Sequence, residues 1–93
     1  MSVVIIGGNE RMERQYAEIC RGYGCEAKAF TKENGSVARR MGCPDLVILF
    51  TGTVSHKMVI SATKEARRTG IRIAHAHSAS ASALHALMQE HTC

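Results

Sequence analysis

Three histidines stand where an imidazole could take a metal or a proton: His56, and the pair in His75-Ala76-His77. H-x-H on a strand puts both rings on one face if the strand runs that far, a geometry that zinc sites use. Zinc asks for a third protein ligand, and His56 is the candidate for it across a crevice. Haem b asks for less: an axial histidine, a flat apolar slot and donors for its propionates. His56 or His77 would then ligate the iron, and Met58 would line the slot or act as a sixth ligand. Lys57, Ser78, Ser80 and Ser82 would meet the propionates. His56 follows Thr53 and Ser55 at a helix start, where the positive helix end favours a neutral ring with one nitrogen free. The plain alternatives are an exposed capping residue at 56, and one packed and one wet ring at 75 and 77.

A second constellation is Gly7-Gly8-Asn9, directly after a run of Val and Ile. Residues without Cβ let a ligand approach the backbone, and a helix start offers N–H groups to an anion. The three-glycine dinucleotide fingerprint is incomplete, because Arg11 and Met12 stand where more glycine would be needed. A tight turn between strand and helix explains the pair equally well.

The elements that would position these residues alternate strand and helix four times. Val3–Ile6, Cys25–Phe30, Asp45–Phe50 and Ile71–His77 read as strands. Asp45–Phe50 is a continuous apolar run, typical of a central parallel strand covered on both faces. Residues 9–22 form a helix whose apolar stripe is Met12, Tyr16, Ile19, Cys20 and Tyr23, closed by Gly22 and Gly24. A helix after residue 55 is capped by Ser55 or Thr53, buries Met58, Val59, Ala62 and Ala66, and ends at Gly70. The last helix is capped by Ser78 or Ser80 and turns Leu84, Leu87 and Met88 inward. Between residues 31 and 43, Asn34-Gly35 signals a turn and Ser36 a short helix with Val37, Ala38 and Met41. The expected fold is a single α/β domain over residues 1–93, with a small open parallel sheet. Right-handed crossovers favour the order 2-1-3-4, as in half a Rossmann or flavodoxin-like domain. Ligands in such sheets sit beyond the carboxyl ends of the strands, where the order reverses. That places Gly7-Gly8-Asn9, Thr51, Thr53, Ser55, His56 and the 75–82 segment at one edge.

Composition narrows the options. Ninety-three residues make one small domain, 45% apolar and 4% aromatic. A large cofactor could be enclosed only with help from a second copy. The net charge of +4 allows an acidic ligand. The pairs Arg39-Arg40 and Arg67-Arg68 lack the aromatic platform that single-stranded nucleic acid would use. Met1-Ser2 leads straight into a strand without a basic leader, and no apolar run approaches a membrane span of ~18 residues. A cytoplasmic protein with reduced thiols is expected. Cys25 and Cys43 precede their strands, roughly 20 Å from the proposed crevice across a strand of ~6 residues, so they cannot join His56 at one metal within a monomer. Cys20 reads as core and Cys93 is terminal. The apolar edge Ile71–Ala76, with few charges to block pairing, points to a dimer-based homo-oligomer.

Gly7-Gly8-Asn9, Pro44 to Thr51, Val54-Ser55-His56-Lys57, His77-Ser78 and Ser80-Ala81-Ser82-Ala83-Leu84 together give the chain a wider likeness. In these motifs it resembles the bacterial domain-of-unknown-function family DUF 2325, over nearly its whole length. The resemblance implies a small oligomeric α/β domain, found alone or fused to other modules. It marks His56 and the serine loop, and associates some stand-alone relatives with haem.

No nucleophile–base–orienter set can be assembled, so a non-catalytic ligand-binding domain is favoured over an enzyme. Haem, bound through histidine at an oligomer interface for sensing, storage or carriage, is the leading ligand, and zinc the lesser one. The rivals are a regulatory domain for a nucleotide or other anion at the same loops, and a small hydrolase or transferase with His56 as base.

Overall fold

The structure is a computed structural model and describes residues 1–31 and 44–92. The turn and short helix expected between 31 and 43, and Cys43 and Cys93, lie outside the described residues. Strand β1 is Ser2–Ile6, β2 Glu26–Phe30, β3 Leu46–Phe50 and β4 Arg72–Ala76. Helix α1 is Glu13–Gly22, α2 His56–Thr69 and α3 Ala81–Thr92. All described strand pairs are parallel, in the order β2-β1-β3-β4, so the strand order reverses between β1 and β3 as expected.

Alternation along the strands decides what each face buries. Val3, Ile5, Leu46, Ile48, Phe50 and Ala74 face α1 and α3, where they meet Tyr16, Cys20, Leu84 and Met88. Val4, Ile6, Val47 and Leu49 face α2 and meet Met58 and Ala62. Every residue of β3 is buried, which is why its sequence runs apolar without interruption. Each fully buried Ile or Leu side chain contributes roughly 1.5–3 kcal/mol relative to leaving it in water.

Strands β1 and β4 begin one residue away from the sequence reading, at Ser2 and Arg72, and four further boundaries differ. The first helix opens as a 3-10 turn, Glu10–Met12, capped by the Asn9 side chain, before α1 proper begins. Cys25 precedes β2. Asp45 stands outside β3, where its Oδ2 accepts from the Ser2 amide at 2.7 Å. Strand β4 stops at Ala76, leaving His77 in a bend. Among the described residues no helix is long and apolar enough to cross a membrane.

Candidate functional site

Three loops follow β1, β3 and β4 and lie together at the carboxyl edge. In the first, both glycines have left-handed backbones, Gly7 at φ 93° and Gly8 at φ 92°. Their missing side chains are required by neighbours. A Cβ on Gly7 would lie 2.5 Å from Val54 Cγ1, and one on Gly8 would lie 2.8 Å from the Tyr16 hydroxyl. The amides are also engaged within the chain. Gly7 donates to the Phe30 carbonyl at 2.9 Å, Gly8 to Thr53 Oγ1 at 2.7 Å and Asn9 to the Tyr16 hydroxyl at 3.1 Å. Asn9 Oδ1 accepts from the Arg11 amide at 3.0 Å. The helix start expected to offer N–H groups to an anion therefore uses them internally, and the pair reads as close packing around a turn.

In the second loop Ser55, not Thr53, caps α2, accepting from the Met58 amide at 3.2 Å. Thr53 does something else. Its hydroxyl accepts from Gly8 and donates to the Phe50 carbonyl at 3.0 Å, tying the first loop to the end of β3. The Thr51 amide donates to the Ala76 carbonyl at 2.8 Å. His56 and Lys57 are exposed in the first turn of α2. Met58 is not a slot residue: it is 7% exposed and packs between α2 and the sheet, which removes its thioether from any ligand at the edge.

The third loop holds the histidine pair. His75 lies in β4, exposed, and by alternation shares the α2 face with Ile73. The shared projection was expected only if the strand ran through His77, and β4 stops one residue earlier, at Ala76, so strand alternation does not set the His77 ring. His77 instead sits against Gly52. The Gly52 amide donates to the His77 carbonyl at 3.2 Å, and a Cβ on Gly52 would lie 2.5 Å from that oxygen and 3.1 Å from ring atoms Cε1 and Nδ1. Ser78 Oγ accepts from the Ser80 amide at 3.3 Å, and Ser80 caps α3 by accepting from Ala83 at 3.2 Å. Each of these hydroxyls keeps its own proton to donate elsewhere. Ser82 is exposed on the first turn of α3.

His56, His75 and His77 thus share an edge, but among the described residues no three His, Cys, Asp or Glu side chains are grouped to hold a metal ion. The zinc trio is not assembled. Cys25 lies at the opposite edge, as expected. Cys20 is fully buried, and burial, with the nearby Cys25, pushes its thiol up to about 11.

Two residues that organise this edge carry no motif. Tyr16 reads from sequence as part of the core stripe, and its ring does pack 5.4 Å from that of Phe50. Its hydroxyl also accepts from Asn9 and donates to the Ala79 carbonyl at 2.7 Å. Gly52 passes as an ordinary turn glycine until the His77 ring is seen against it. The available signal was weak: a tyrosine in place of phenylalanine on a core stripe, and a glycine between two threonines.

Among solved structures the chain is similar to the lactose-specific IIB component domain of the phosphoenolpyruvate:carbohydrate phosphotransferase system from Streptococcus pneumoniae. The TM-score is 0.59 at 19% identity, covering 96% of this chain and 85% of that one. That likeness shows a shared flavodoxin-like, Rossmann-like fold. No curated protein matches the sequence. The family model described as an uncharacterised protein conserved in bacteria, DUF2325, matches residues 2–91, and the chain belongs to that family.

Proposed function

We propose that this domain is a non-catalytic ligand-binding protein that takes haem b on an imidazole at the carboxyl edge of its sheet, between two copies of the chain. The observation that supports this reading is His77, an exposed imidazole seated on Gly52 and held there through its carbonyl. A ring held in place loses little freedom when it binds iron. His56 supplies a second imidazole from the next loop. Exposed Lys57 and the hydroxyl protons of Ser78 and Ser80 suit propionates. The apolar groups nearby, Val54, Ala76 and Ala79, are only partly buried and make no slot by themselves. A second copy is the natural cover. Bound haem would supply redox and diatomic-gas chemistry, while the chain holds and shields it.

The anion rival draws less support. An anion at Gly8 and Asn9 would have to displace bonds those amides already make.

Haemin titration of the purified protein tests the reading. A sharp Soret band is expected, lost or shifted in His77→Ala, and weakened in Gly52→Ala, where the new Cβ pushes against the His77 carbonyl. Light scattering should show dimers in the loaded protein. A broad spectrum of non-specific association, the same in wild type, His77→Ala and His56→Ala, would rule haem out.

A further inference from the structure

We infer that the Tyr16 hydroxyl is the positioning group for His77, setting the place of the turn that carries it. Tyr16 is fully buried on α1, yet its oxygen reaches the carboxyl edge. There it makes one bond to each of two ligand-side loops. It accepts from the Asn9 amide at 3.1 Å and donates to the Ala79 carbonyl at 2.7 Å. A phenol has one proton. Met12 Sδ, at 3.8 Å, is a weak and distant acceptor, so that proton belongs to Ala79. The arrangement is fully committed, and the loops it joins follow β1 and β4, which do not touch each other in the sheet. Tyr16 bridges over β3.

Ala79 stands two residues after His77. The other bonds that place this turn come from its own side. Thr51 and Gly52 hold the carbonyls of Ala76 and His77, and Ser78 and Ser80 bond within the turn and to α3. The bond from Tyr16 spans 63 residues and sets the turn relative to β1 and α1. The surroundings are built to keep the hydroxyl in place. Gly8 is bare where a Cβ would lie 2.8 Å from that oxygen, and Phe50 backs the ring. The turn that carries His77, held on the β3 side by Thr51 and Gly52, is therefore tied to β1 and α1 through one oxygen atom buried on a helix that carries none of the ligand-side groups.

The far end of the same helix offers an internal control. Tyr23, just past α1, bonds through its hydroxyl to His85 Nδ1 at 3.1 Å. Ring resonances of His77 and His85, followed by NMR in the ligand-free protein, separate positioning from general loosening. Tyr16→Phe should shift and broaden the His77 signals and leave those of His85 in place. Tyr23→Phe should do the reverse. If Tyr16→Phe does not fold, 3-fluorotyrosine at position 16 in a Tyr23→Phe background makes the hydroxyl a stronger donor without removing it, and His77 should again respond. His77 signals unmoved by either change would overturn the inference.

The second arm rests on the haem reading. Tyr16→Phe should weaken haemin binding about 10-fold, the loss expected from one buried hydrogen bond. Because the NMR arm needs no ligand, a His77 that moves in a protein that fails to bind haemin would support the positioning role and reject haem alone.

Discussion

At the carboxyl edge of the sheet, side-chain oxygens tie together loops from three different strands. At the amino edge the bonds around the end of α1 stay local, the Gly24 amide donating to the Arg21 carbonyl and the Cys25 amide to the Cys20 carbonyl. There, among the described residues, a side-chain oxygen crosses between strands only where Asp45 Oδ2 accepts from the Ser2 amide. His56, His75 and His77 lie at the first edge and the buried thiols of Cys20 and Cys25 at the second. Space is found away from those imidazoles as well. A hollow of about 530 Å³ lies at the amino edge, lined by Ser2, Arg21, Cys25 and Lys28 among others. Its charged groups come from α1, as Arg21, and from β2, where Glu26 and Lys28 share one face by alternation and Ala27 turns to the other. The convergence of polar groups is the better guide, because a ligand is oriented by a few placed groups and not by room alone.

The same substitution at both edges is the strongest way to break this contrast. Gly8→Ala combines a left-handed backbone with overlap against the Tyr16 ring, and should cost roughly 3–5 kcal/mol of stability. Gly24→Ala meets the same backbone constraint at φ 78° but no atom within 4 Å, and should cost about 1–2 kcal/mol. Urea denaturation of the two variants gives the difference. Equal losses would mean that the carboxyl edge is no more tightly tied than the other.

A smaller effect belongs to the amino edge. The Cys20 thiol rises from its ordinary value of 9.0 to about 11 on burial. The folded state holds that proton to higher pH than the unfolded chain does. The associated stability is complete below pH 9 and is lost as pH climbs toward 11. It amounts to roughly 2–3 kcal/mol at most. Cys20→Ala should flatten that alkaline decline, measured as unfolding free energy against pH. An unchanged slope would place the decline elsewhere.

The smallest expected effect is none. Cys25→Ser keeps a donor for the Tyr23 carbonyl and should leave the haemin spectrum as in wild type. A changed spectrum would bring a thiol to the iron, from a neighbouring copy, and erase the division of labour between the edges.

What could be read beforehand follows the range of the forces involved. The apolar run Leu46–Phe50, the stripe on α1 and the serine caps are local patterns, and strand order follows from handedness. The edge that holds His56 and His77 was legible for the same reason. The ties within it were not. Thr53 looks like a cap and bonds a glycine 45 residues away, and Tyr16 looks like core and bonds a carbonyl 63 residues away. Gly7 and Gly8 look like an opening for a ligand, yet the space is filled by Val54, Thr53 and Tyr16. Met58 was open to two readings, one as a buried residue of α2 and one as a haem ligand or slot residue, and it packs in the core with Ala62 as its helix spacing indicated. Contacts between distant segments leave no period in the sequence.

The central place of β1 also shapes how the protein is made. Val3 pairs with Ala27 on one side and with Leu46 on the other. The first strand to leave the ribosome must wait for both neighbours, and the second is more than forty residues behind it. At about 5–20 residues per second, that leaves a run of Val and Ile unpaired for seconds, the interval in which sticky strands find wrong partners. A chain halted before β3 emerges has half of its sheet centre missing. Slow translation ahead of residue 46 should therefore hazard this protein more than slow translation after β4.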